Sequence, residues 1–184
     1  MIGAGPATIY LIRHGEKPPL TGPPAGIDEN GVPHEHSLIV RGWQRAGALA
    51  PYFAAGTVGP VPTHLFAPPR HGDAGDHGRP FETLMPLAAK LGVTIVTTFT
   101  LDRERELAAA IEAVDGIVLV AWEHKRIPRI ATALLGGAAV PDWPDDRFDM
   151  TWVLARDTTA NARTFRQVPQ GVLAGDRADV FPPA

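Results

Sequence analysis

The chain contains no cysteine among its 184 residues. Disulfide bonds, thiol nucleophiles and cysteine-ligated metals are therefore excluded. No charge of one sign dominates: the formal net charge is −3, which offers no attraction to nucleic acid or to an anionic membrane. No apolar run is long enough to cross a bilayer, and the opening residues Met1-Ile2-Gly3-Ala4-Gly5-Pro6 lack the basic region of a signal peptide. The expected location is the cytoplasm, with neither nucleic acid nor membrane as a partner. Internal repeats and composition breaks are also missing. Residues 1–184 are thus expected to form one domain, long enough to bury a sizeable core. Glycine and proline are abundant, but they cluster in connections, which predicts long ordered loops rather than disorder.

The most informative stretch is Thr8-Ile9-Tyr10-Leu11-Ile12-Arg13-His14-Gly15-Glu16. Its β-branched and aromatic run reads as a buried strand. Gly15 then permits a sharp turn without a Cβ penalty. Arg13 and His14 fall at the carboxyl end of that strand, where open α/β sheets bind ligands.

A Pro- and Gly-rich connection follows over residues 17–37, long enough to be a functional loop. Residues 41–55 have helical spacing, with Trp43, Ala46, Ala50 and Phe53 as the stripe and Gly42 and Gly47 as weak points. Residues 63–67 form a short strand and 70–78 a loop. A helix over 79–91 has the stripe Phe81, Leu84, Leu87, Ala88 and Leu91, with Pro86 expected to kink it. Residues 93–97 form a third strand. Asp102 is a good N-cap for a helix running to about Val114. The continuously apolar run 117–121 is the pattern of a strand buried on both faces. A fourth helix carries Ile127, Ile130, Ala131 and Leu134. After an acidic loop over 141–149, residues 150–155 and 164–168 alternate as a terminal hairpin. The repeated strand–helix order predicts a three-layer α/β/α sandwich with a largely parallel central sheet, helices on both faces.

Several polar residues fall at carboxyl strand ends or in the loops just after them. Arg13 and His14 close the first strand, Arg79 opens the helix after the second, and His124 closes the fourth. Such a set suits a dianionic phosphoryl group. Guanidinium groups hold phosphate oxygens in forked hydrogen bonds. One histidine can attack phosphorus, and the other can donate a hydrogen bond to the transferring group.

On these residues the chain resembles the histidine phosphatase superfamily, the phosphoglycerate mutase-like proteins. Leu11-Ile12-Arg13-His14-Gly15-Glu16 matches the family's opening motif. The run from Leu38 through Gly42-Trp43-Gln44-Arg45-Ala46 to Leu49 is similar to its first helix. Arg79-Pro80 with Glu82-Thr83 and Pro86-Leu87-Ala88 resembles the segment of its second phosphate-binding arginine. Val118 to His124, with Ile127, resembles the strand and turn of its second histidine. The resemblance implies a metal-independent hydrolase of phosphomonoesters. In it His14 is phosphorylated during turnover, and Arg13, Arg79 and His124 bind the phosphoryl group. A small-molecule phosphate ester is the implied partner, and no cofactor is required. A phosphomutase on a small phosphorylated metabolite, or a non-catalytic phospholigand-binding module, could use the same residues. In place of the family's serine-rich approach to the second arginine, the chain has a Gly- and His-rich loop over 70–78. It also has no counterpart of the glutamate-bearing segment of the mutase-like branch, so the resemblance assigns no proton donor.

Glu123 and Asp102 are the candidates for that donor. Glu123 could point to the opposite face, since strand side chains alternate, and Asp102 could simply cap its helix. Glu16 and Asp76 lie on loops that could reach. Lys17 is near enough to meet a substrate anion. His34, His36, His71 and His77 invite a metal reading. They lie on Gly/Pro loops without helical register, so they read better as polar groups that could contact substrate, and no metal is expected. Trp43 and Phe81 read as core.

Overall fold

A computed structural model of the protein describes residues 5–70, 77–157, 159 and 162–183. The described chain runs β1 (Thr8–Arg13), α1 (Val40–Ala54), β2 (His64–Phe66), α2 (Gly78–Leu91), β3 (Ile95–Val96), α3 (Glu104–Glu112), β4 (Ile117–Trp122), α4 (Ile127–Leu134), β5 (Met150–Asp157) and β6 (Ala162–Pro169). The strands form a six-stranded sheet in the order β3-β2-β4-β1-β5-β6. β1 to β4 are parallel, and β5 runs against both of its neighbours.

The apolar runs of β1 and β4 are continuous because both faces of the sheet are covered. Ile9 and Leu11 of β1, with Val118, Val120 and Trp122 of β4, pack on Leu107 and Ile111 of α3 and on Ile127 and Ile130 of α4. The alternate residues Tyr10, Ile12, Leu119 and Ala121 pack on Leu49 and Phe53 of α1 and on Leu84 and Leu87 of α2. This is the α/β/α sandwich that the sequence pattern predicts.

Strand order also sets the site. From β1 the chain passes through α1 and α2 to β2 and β3 on one side. It then returns through α3 to insert β4 between β2 and β1. The winding direction therefore changes between β4 and β1, which opens a crevice at the carboxyl ends of the two strands. Arg13 stands opposite Trp122 in the parallel register. The His14 amide donates to the Trp122 carbonyl at 3.2 Å. His14 and the Glu123-His124 pair thus leave the sheet side by side.

Three local expectations are corrected. Asp102 does not cap α3: it has a left-handed φ of 74°, and its own amide donates to the Glu104 carboxylate at 3.1 Å. Trp43 is half-buried rather than core, and its indole donates to the Ile27 carbonyl at 2.7 Å, anchoring the 17–37 loop. Gly15, expected to permit a sharp turn, is not among the glycines with positive φ, and its missing Cβ serves a close approach instead. A Cβ there would lie 2.8 Å from the Gly42 carbonyl oxygen, and a Cβ on Gly42 would strike the carbonyl oxygen of Glu16. The first turn of α1 rests directly on the backbone after β1, and only two facing glycines permit that approach.

Gly42→Ala provides a test by sign. Helix propensity alone would stabilise the variant by about 1 kcal/mol. The backbone contact instead predicts a loss on the order of 1–3 kcal/mol, as in overpacked cores. Chemical denaturation of the two proteins reads the difference, and a more stable variant contradicts the packing described.

Candidate active site

His14 sits just past β1 and is 4% exposed. Its Nδ1 lies 2.7 Å from the Gly15 carbonyl oxygen. A carbonyl only accepts, so Nδ1 carries the proton and Nε2 keeps the lone pair. Burial holds the imidazole well below its ordinary pKa. The charges of Arg13, Arg79 and His124 act in the same direction, and the Gly15 bond opposes them. The ring is therefore neutral at physiological pH with its nucleophilic nitrogen available.

Arg13 is fully buried. Its Nη1 donates to the carbonyls of Asp145 at 2.6 Å, Arg147 at 3.1 Å and Pro144 at 3.4 Å. Its guanidinium carbon lies 3.7 Å from the centre of the Phe148 ring. Burial lowers its pKa to about 10, with Glu123 and Asp145 opposing, so it remains a cation. Arg79 Nη2 donates to the Glu35 carbonyl at 2.8 Å. Among the described residues, Arg13 Nε and Nη2 and Arg79 Nε are buried without a hydrogen-bond partner. An unsatisfied buried donor costs about 1–3 kcal/mol, more when charged. Guanidinium donors are of the kind that can hold an oxyanion in forked hydrogen bonds.

His124, 4% exposed, donates from Nε2 to Asp145 Oδ1 at 2.5 Å. Glu123 Oε1 lies 2.7 Å from its Nδ1 but off the N–H axis, since that nitrogen makes no hydrogen bond. Burial would raise the Glu123 pKa. The contact with His124 and the Lys125 amide outweigh that and hold the carboxylate ionised. Glu123 is not turned to the opposite face, as strand alternation would allow. It lines a cavity of about 40 Å³ together with His14, His77 and Arg79. A larger groove of about 940 Å³ runs past Asp102 and Arg129, but no histidine lines it.

The surrounding bonds hold this set in place. The Thr83 hydroxyl accepts from the Gly15 amide at 2.8 Å and donates to the Arg79 carbonyl at 2.7 Å. One side chain thus ties the turn of His14 to the helix turn of Arg79. Glu82, fully buried, accepts from the Ser37 hydroxyl at 2.6 Å and the Leu38 amide at 2.8 Å. This fastens the end of the 17–37 loop to α2 beside Arg79. Lys17, half-buried, has its pKa lowered by burial and then by the charges of Arg13 and Arg79. It lies within the positive field of the site.

Two candidates are placed elsewhere. Asp102 is exposed and paired with Arg126, with Arg129 at 3.8 Å. Glu16 is buried and bonded to Arg45 and Arg41 at 2.9 and 3.1 Å. Asp76 and His71 lie outside the described residues. Among the described residues no cluster of three or more His, Asp or Glu could hold a metal ion. Sequence reading missed Asp145, Phe148 and Thr83. The first two lie in the acidic 141–149 loop, which has no periodicity to reveal its register. Thr83 stands four residues after Arg79 on the same helix face, a spacing that could have found it.

No protein-family model and no curated protein matches the chain. Solved structures are similar to it in fold. The protein histidine phosphatase SixA, solved in complex with tungstate, has a TM-score of 0.57 at 15% identity, over 89% of this chain and 97% of that one. An Escherichia coli K-12 protein provisionally named an alpha-ribazole-5'-P phosphatase has a TM-score of 0.51 at 12% identity, over 91% and 98% of the two chains. The chain shares its fold with both of these proteins. No helix among the described residues is long and apolar enough to cross a membrane.

The buried neutral His14 has a thermodynamic signature. Below an ordinary histidine pKa of about 6.5, the unfolded chain takes up a proton here that the folded chain refuses. The unfolded state then binds more protons, so stability is lost as pH falls, by up to about 1.4 kcal/mol per pH unit from this group. His14→Gln removes the effect. Denaturation from about pH 7 to about pH 5 should show the variant losing less stability than the wild type. Parallel losses contradict the assignment of a neutral ring.

Proposed function

We propose that the chain is a phosphatase that hydrolyses a small-molecule phosphomonoester through a phosphohistidine at His14. One observation carries this reading. A buried imidazole with its Nε2 lone pair available shares a site with buried, unpartnered guanidinium donors from Arg13 and Arg79. The histidine phosphatase fold supports it, since SixA and the Escherichia coli protein both carry phosphatase names.

In this reading the substrate phosphate accepts hydrogen bonds from the unpartnered donors of Arg13 and Arg79. Lys17 adds to the positive field of Arg13 and Arg79. His14 Nε2 attacks phosphorus in line, the nitrogen–phosphorus bond forms, and the bond to the ester oxygen breaks. Charge on the peripheral oxygens is stabilised by the arginines and by His124 Nε2–H, which gives up Asp145 as its acceptor for the phosphoryl group. Water then attacks phosphorus and releases inorganic phosphate and free His14. The cationic side chains supply the charge stabilisation that a metal ion would otherwise provide. Glu123 stays ionised beside His124, and Asp145 orients the ring through its hydrogen bond to Nε2.

Hydrolysis of p-nitrophenyl phosphate is the direct test. His14→Ala should lose at least about a thousandfold in kcat, as expected of a nucleophile. Arg79→Ala should stay folded and lose roughly 10- to 100-fold in affinity for inorganic phosphate, the worth of charge-assisted hydrogen bonds of about 1.5–3 kcal/mol. Prolonged dialysis against a chelator should leave the rate unchanged. Wild-type turnover in His14→Ala, or a chelator-induced loss restored by zinc, contradicts the proposal.

A further inference from the structure

Hydrolysis of an unactivated ester needs a proton for the departing oxygen, and the groups that bind phosphate do not provide one. Four ionisable side chains among the described residues line the cavity: His14, His77, Arg79 and Glu123. His14 uses Nε2 for attack and has its Nδ1 proton on the Gly15 carbonyl. Arg79 does not release a proton at any relevant pH. Glu123 is held ionised by its neighbours despite its burial, and an ionised carboxylate has no proton to give. Asp145 is bonded to His124 and held ionised by it, then by Lys125. Asp102 is paired with Arg126 away from the cavity.

Besides His14, His77 is the imidazole that lines the cavity among the described residues. It immediately precedes α2 and stands two residues before Arg79. Its amide donates to the Arg70 carbonyl at 3.0 Å, which fixes the backbone at that point. The side chain is half-buried in the cavity wall. His14 therefore reaches the cavity from the end of β1 and His77 from the start of α2, with Arg79 beside it. Imidazole is the side-chain type that both gives and takes a proton near neutral pH.

With the cavity read as a phosphomonoesterase site, we propose that His77 is the general acid and base of the reaction. As the His14 nitrogen–phosphorus bond forms and the phosphorus–oxygen bond to the alcohol breaks, protonated His77 gives its proton to the leaving oxygen. The neutral imidazole then takes a proton from the water that attacks phosphorus. Phosphate leaves, His14 is free, and His77 is protonated again. No metal and no further co-reactant enter the balance.

Leaving-group dependence tests this apart from folding and from the phosphatase reading itself. Wild type and His77→Gln are compared on p-nitrophenyl phosphate, phenyl phosphate and glycerol phosphate, reading kcat/KM, which reports the first chemical step. A p-nitrophenolate leaves without help, whereas an alkoxide needs its proton. The variant should lose less than about tenfold on p-nitrophenyl phosphate and about 10²–10⁴-fold on glycerol phosphate. His77→Asn serves if the first variant melts early. Equal losses on all three esters overturn the proposal. So does a loss confined to poor leaving groups in Glu123→Gln with His77→Gln unaffected. Failure of the wild type to hydrolyse any ester instead overturns the phosphatase reading on which the proposal rests.

Discussion

The site depends on the parallel pairing of β1 with β4. That register sets Arg13 opposite Trp122, so the first residues beyond each strand emerge together. A slip of one residue would turn every side chain of β1 to the other face. Ile9 and Leu11 would leave the α3/α4 side for the α1/α2 side, which Tyr10 and Ile12 fill. The cores on the two faces therefore lock the register, and the register places His14 beside Glu123 and His124. Fold stability and site geometry are consequences of the same contacts.

Around that pair the protein accumulates buried positive charge and balances it only in part. Arg45 is 2% exposed and is bonded to Glu16 and Asp176 at 2.9 and 2.7 Å, which fastens the C-terminal segment to the turn after β1. Arg147 is likewise satisfied by Asp149 at 2.6 Å and Asp179 at 2.9 Å. Arg13 and Arg79 are treated differently. Each spends some donors on backbone carbonyls and keeps others buried without a partner. Carbonyls fix a guanidinium without cancelling its charge, so the field persists at His14 and lowers its proton affinity. The stabilisation given up at these unsatisfied donors is what an entering oxyanion would regain.

Much of this was legible in the sequence, and the reason differs by residue. Strand and helix order followed from periodicity, because β1 and β4 are apolar throughout and the helices each carry a stripe. Arg13, His14, Arg79 and His124 could be assigned to one sheet edge because carboxyl strand ends converge in such folds. Asp145 and Phe148 could not. Their contacts with Arg13, His14 and His124 span long stretches of chain, and the 141–149 loop has no repeating pattern to align. Asp102 was misjudged because an aspartate before a helix suggests a cap, whereas its left-handed backbone and the pull of Arg126 turn the carboxylate away. Gly15 and Gly42 each carried a local signal, but the signal did not show that they face one another.

The most direct measurement is of the covalent intermediate. Wild-type protein turning over p-nitrophenyl phosphate is quenched rapidly into alkali, where a phosphorus–nitrogen bond survives, and its peptides are read by mass spectrometry. The account predicts one phosphorylated peptide, labelled at His14, absent from His14→Ala and acid-labile. A label on another residue, or turnover with no label at His14 under conditions that preserve phosphohistidine, would contradict it.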